Sequence, residues 1–142
     1  MLNIYRKIKG FTIIELIVVV AIIGIISLIG LRLYLTQQEK AKGAIVKGNA
    51  STIQTLIQSE LSDNSLSEVD ESFLNQVVIN SGIHNPVNGA KQISSYYSTP
   101  DKSVDNIPGM IYIWKDSGDV FHVNGWNTEG DDVLPTDLTS RK

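Results

Sequence analysis

Cysteine is absent from the 142 residues. That excludes disulfides, thiolate nucleophiles and cysteine zinc sites, and leaves packing to hold the chain together. Proline is scarce: the chain has 4, the first at Pro86, so no ring breaks a helix before that point. His84 and His122 are the only 2 histidines and lack ligand spacing, so both read as surface or internally satisfied residues. Aromatics are few, 7%. Trp114, Trp126, Tyr96, Tyr97 and Phe121 read mainly as the core of a small domain, with an adhesive patch as the alternative. The sequence holds no Ser–His–acid order, no G-x-S-x-G and no phosphate-binding loop. Its paired acids have no histidine or lysine beside them for acid–base work. No enzyme and no cofactor are predicted.

What is present is unevenly spread. The length allows one domain plus an extension. Residues 11–31 are apolar except for Thr12, Glu15, Ser27 and two glycines, and the remainder is polar. The formal charge of −3 hides a polarity. Residues 1–10 carry Arg6, Lys7 and Lys9 and no acid; without them the chain is −6. Residues 11–63 hold four charges of each sign, so the whole excess of acid lies on residues 64–142. An acidic domain repels phosphate backbones, which argues against direct nucleic-acid binding.

Three readings compete for the N-terminus. A cleaved secretory signal needs a short apolar core and a small-residue cut site. Here the apolar run continues to Leu31 with no such site. A signal anchor fits the length: twenty-one residues at 1.5 Å each give ~31 Å, the hydrocarbon thickness. The leader cations then hold the N-terminus in the cytoplasm and residues 36–142 outside. Yet Glu15 sits within the apolar run, where an acid costs on the order of 2–3 kcal/mol and calls for a partner. A plain anchor supplies none.

The third reading rests on Lys9-Gly10-Phe11-Thr12-Ile13-Ile14-Glu15-Leu16 and the run Ile17-Val18-Val19-Val20-Ala21-Ile22-Ile23-Gly24-Ile25-Ile26. This stretch resembles the class III signal of type IV pilins and pseudopilins. The resemblance implies cleavage after Gly10 by a prepilin peptidase and N-methylation of Phe11. It also implies pairing of Glu15 with the N-terminal amine of a neighbouring subunit, which supplies the missing partner. The implied function is a structural subunit of a type IV pilus, a surface filament serving adhesion, motility or aggregation. The alternatives are a pseudopilin of a type II secretion or DNA-uptake system, or a minor pilin. Implied partners are identical copies in a helical filament, the peptidase, the cytoplasmic membrane and an assembly platform. Implied locations are that membrane, in a single pass, and then the cell-surface pilus. The family's usual proline is replaced here by Arg32; Gly24 and Gly30 remain, each costing ~1 kcal/mol against alanine in a helix. Loosening of the filament helix is expected around those two glycines.

The expected fold is α+β and pilin-like: a long N-terminal helix, transmembrane then amphipathic, packed on a small antiparallel sheet. Its predicted parts are a leader over 1–10, an apolar helix over 11–35, an amphipathic continuation over 36–63 and a globular head over 64–142. Ala41, Ala44, Ile45, Ile53, Leu56, Ile57 and Leu61 give the continuation its apolar face. About fifty helical residues would run ~75 Å, too long for so small a domain to bury. Asp70 is placed as the cap of a short helix over 68–80, with Phe73, Leu74, Val77 and Val78 on its apolar face. A short strand is expected over 92–98, and a hairpin over 110–123 around a turn containing Gly118. Glu129, Asp131, Asp132 and Asp137 read as a solvated acidic tail, with a calcium loop as the minor alternative. Asn49-Ala50-Ser51 matches a glycosylation sequon that means little on a helix.

Overall fold

The computed structural model describes residues 10–92, 95–97 and 107–142, with the backbone alone described for 95–97. The expected strand over 92–98 therefore lies partly outside the described residues. Two compact units divide the chain, Met1–Gln37 and Gln38–Lys142. Helix α1, Ile13–Asp63, runs through 51 residues, as the absence of proline allows. Every residue from Phe11 to Leu35 is exposed. This part of α1 is long and apolar enough to cross a membrane, and none of its apolar window is buried.

In the second unit α1 changes character. Val46, Ala50, Ile53, Ile57 and Leu61 recur every three or four residues and are at most 1% exposed. That spacing makes one stripe down the helix, which leaves out Ala41, Ala44 and Ile45: expected on the apolar face, they are exposed. Ala50, Ile53, Ile57 and Leu61 pack with Ile111, Ile113, Phe121 and Val123 of the sheet and with Val69, Leu74 and Val78. Leu74 and Val78 come from α2, Glu71–Asn80. Asp70 caps that helix as expected, its carboxylate accepting from the Phe73 N–H at 2.8 Å.

Four strands follow: β1 Ser95–Tyr97, β2 Ile111–Lys115, β3 Phe121–Gly125 and β4 Leu138–Ser140, side by side in that order. β2–β3 and β3–β4 are antiparallel, but β1 joins β2 in parallel. The expected antiparallel sheet thus describes three strands, and the sheet as a whole is mixed. β2 and β3 form the hairpin, with Ile113 opposite Val123. In its turn the Asp116 carboxylate accepts from the N–H groups of Gly118 and Val120 at 2.8 and 2.9 Å. Donation from Val120, above all, lowers the Asp116 pKa. The left-handed residue of this turn is Asp119, φ 61°, not the glycine before it; aspartate tolerates that region better than most side chains.

The alternation of a strand sends Tyr112 and Trp114 to the face away from α1. There Tyr112 meets Trp126 with ring centroids 4.7 Å apart, and Trp114 stacks on His122 at 3.9 Å. β4 is held to α1 by side-chain amides. Gln54 donates to the Thr139 carbonyl at 2.9 Å, and Gln58 donates to the Arg141 carbonyl at 2.9 Å and accepts from its N–H at 3.2 Å. These bonds satisfy backbone groups that a bare sheet edge would leave open.

Two glycines are dictated by this packing. Gly109 has φ +81° and lies against the Asn85 side chain, so any Cβ there collides with it. At Gly125 a Cβ would come 2.5 Å from Val46 Cγ1 and 3.0 Å from the Met110 carbonyl. Gly125→Ala is expected to destabilise the head by ~1–3 kcal/mol through overpacking. Adding Val46→Ala should recover part of that loss. Thermal melts of the detergent-solubilised chain, followed by tryptophan fluorescence, check both; additive losses in the double variant would show that the two residues do not compete for space.

Candidate functional site

The N-terminal segment is built around the first turn of α1. Thr12 precedes the helix and Glu15 is its third residue. The Glu15 Oε2 accepts from the Thr12 N–H at 2.9 Å and from the Thr12 hydroxyl at 2.8 Å. In return the Glu15 N–H donates to Thr12 Oγ1 at 3.3 Å. This reciprocal arrangement is a capping box, Thr-x-x-Glu, which occupies amide groups that a helix start leaves without internal partners. The carboxylate also sits at the positive end of the helix dipole. Both Thr12 donors go to the same oxygen, Oε2. Around the carboxylate lie Phe11, Ile14, Val18 and Val19, lining a shallow apolar hollow.

Gly10 and Phe11 stand just outside this turn. Phe11 is 85% exposed. A Cβ built on Gly10 meets nothing within 4 Å, so the fold itself does not demand glycine there. Any requirement for glycine at that position reports something that binds the segment from outside. The same space surrounds Gly24 and Gly30, and α1 passes through both without a break. Ser27 between them donates its hydroxyl to the Ile23 carbonyl at 2.7 Å, which satisfies it within the helix.

Among the described residues no three His, Asp or Glu side chains are grouped to hold a metal. Asp137 accepts from the Trp114 indole N–H and from the Asn124 amide, each at 2.7 Å. Asp132 accepts from the Tyr112 hydroxyl at 2.8 Å. Burial, with these carboxylates adding to it, pushes the Tyr112 phenol well above its ordinary pKa. Asp132 and Asp137 therefore fasten the C-terminal segment to the outer face of the sheet. The solvated-tail reading needs correction for Asp137, which is half-buried; Glu129, Asp131 and Asp132 are exposed, Asp132 while accepting from Tyr112.

His122 stacks on Trp114 and lies 3.3 Å from Asp116. Asn49 of the sequon donates to the His84 carbonyl at 3.3 Å, which ties that amide into the fold. Sequence reasoning missed one residue and misread another. Thr12 was visible as the first letter of a capping box but passed as a polar exception in an apolar run. Asp137 gave no local signal, since its partners are thirteen and twenty-three residues away.

Residues 5–31 match the prokaryotic N-terminal methylation motif. The chain is also similar to the fimbrial protein EcpB of Eikenella corrodens, 41% identical over 66 residues. The match covers 46% of this chain and 42% of that protein, so the chain spans less than half of its relative's length. No solved structure matches.

Asp137→Ala would take the acceptor from the Trp114 indole and one of two from the Asn124 amide, and a loss of ~1–3 kcal/mol is expected, read as a lower melting temperature. Millimolar calcium should leave the wild-type melt in place. A rise abolished by Asp131→Asn would restore the calcium reading. By motif and by relative, then, this chain carries the class III signal at its N-terminus and resembles the type IV pilins and pseudopilins.

Proposed function

We propose that this chain is a structural, non-enzymatic subunit of a type IV pilus. The observation that carries the proposal is the uninterrupted exposure of α1 from Ile13 to Leu35, behind a cleavage-and-methylation motif. So much apolar surface needs lipid or other helices around it. Before assembly the membrane supplies the lipid, with the leader cations holding the N-terminus on the cytoplasmic side. A prepilin peptidase removes residues 1–10 and Phe11 becomes the methylated first residue. In the filament, copies of α1 replace lipid around one another, and the heads face outward.

Glu15 is the sharpest part of this mechanism. Its Oε2 stays in the capping box while Oε1 receives the ammonium of a neighbouring Phe11. The capping box orients the carboxylate before the partner arrives, so less ordering remains for the association step. The two charges neutralise each other in apolar surroundings, where either alone is costly. Gly24 and Gly30 supply low helix propensity for any loosening of α1 that filament packing demands.

Glu15→Ala should be cleaved normally yet assemble at least ~tenfold less, the equivalent of 1.4 kcal/mol or more per contact. Wild-type filament yield would remove the pairing argument. Thr12→Val deletes the hydroxyl donor and should lower yield less than Glu15→Ala does. Gly10→Leu should block leader removal while the head melts as in the wild type. Normal processing would remove the cleavage assignment.

The decisive experiment shears filaments from the producing cells and seeks this chain in them by mass spectrometry and gold labelling. Peptides starting at methylated Phe11, with label along the fibres, support a main pilin. Processed chain confined to the membrane indicates a pseudopilin. The fimbrial relative favours the pilus.

A further inference from the structure

Apart from Glu39, which precedes Lys40, charge is segregated along the second half of α1 and the segment that follows it. Residues 40–47 carry Lys40, Lys42 and Lys47 and no acid. Residues 60–71 carry Glu60, Asp63, Glu68, Asp70 and Glu71 and no base. Lys40 and Lys47 are both exposed, and seven residues apart they share one face of the helix. Ala44 and Gly48 continue that exposed face, and a Cβ on Gly48 meets nothing within 4 Å. The opposite face, with Val46, Ala50 and Ile53, is the buried one. Among the described residues no ion pair engages the three lysines.

The acids are equally open to solvent: Asp63, Glu68, Asp70 and Glu71 are all exposed. Glu68 accepts from the Ser65 hydroxyl at 2.7 Å and from its N–H at 2.8 Å, which fixes the carboxylate and favours its charged form. Asp70 is fixed by its capping bond to Phe73. Lys142 reaches the Asn64 carbonyl and, with Arg141, offsets two of the negative charges without cancelling them.

The spacing of the two charges determines what they can meet. Lys47 and Asp63 are sixteen residues apart on one helix, ~24 Å along its axis. They cannot reach one another within the chain. A parallel copy displaced along the axis by about that distance brings the acids of one molecule to the lysines of the next. Such a contact is head-to-tail: each copy uses one patch and offers the other, so the series stays open.

We propose that the Lys40/Lys47 face of α1 docks the acidic corner of a second copy, formed by Asp63, Glu68 and Glu71. The partner is a copy of this chain, and the proposal rests on the filament reading above. The contact sets the axial step between copies in the parallel arrangement that the filament reading requires.

The chain has no cysteine, so introduced pairs report contacts without background. Lys47→Cys and Glu71→Cys, placed singly and together in the full-length chain in its producing cells, should behave differently on oxidation. The pair should give a ladder of covalent multimers, whereas each single variant, whose cysteine faces no second thiol, should stay monomeric. Filaments without a ladder would overturn the proposal and leave the filament reading standing. Absence of filaments from the wild type would overturn both.

Lys40→Glu with Lys47→Glu should lower the sheared filament yield by about tenfold or more, with leader removal and membrane level unchanged. Adding Glu68→Lys and Glu71→Lys to that chain should restore the yield. An unchanged yield in the first variant, or no recovery in the second, overturns the pairing.

Discussion

The stripe of Val46, Ala50, Ile53, Ile57 and Leu61 on α1 is the element that the head depends on. With no disulfide available, this stripe is where the sheet and α2 find a common apolar surface. The sheet register follows from it. Ile111, Ile113, Phe121 and Val123 must face the helix, and a slip of one residue would turn them all outward. Gly125 follows too, because α1 approaches the end of β3 so closely that Val46 occupies the space of a side chain. The outer face then receives Tyr112, Trp114 and Trp126, and the C-terminal segment closes over them through Asp132 and Asp137.

The same helix serves two environments because its composition changes while its backbone does not. From Ile13 to Leu35 it is apolar on all sides and finds no cover within the chain. From Val46 onward it is apolar on one side and covered there by the head. Helix propensity alone would not join these halves across Gly24, Gly30, Gly43 and Gly48. In water much of a helix's stability comes from packing of one face, and in lipid it comes from the need to satisfy every backbone group internally. The capping box at Thr12 and Glu15 begins that ladder where the charged leader ends.

Much of this was legible in the sequence because its signals are local and periodic. The apolar run, the Asp70 cap and the hairpin of β2 and β3 each announce themselves within a dozen residues. Phe11, Gly10 and Glu15 were legible through resemblance to a known signal, and Glu15 also through its cost in an apolar setting. The rest depended on partners distant in the chain. β4 spans only Leu138–Ser140, and its place is fixed by β3 and by Gln54 and Gln58. The parallel pairing of β1 carries no local mark at all. Asp137 looked like part of an acidic run because its indole and amide partners lie on strands that the sequence does not show beside it.

The fastening of β4 to α1 has a mechanical consequence. Tension carried along a fibre of such subunits would pass through α1, and the C-terminus is tied to that helix by hydrogen bonds from side-chain amides one turn apart, at Gln54 and Gln58. No covalent cross-link spans the head. Under pulling, those bonds and the Asp137 contacts are what resist peeling of the last strand, and each can re-form once the load is released. In such a fibre the head would yield and recover under strain rather than resist until it breaks.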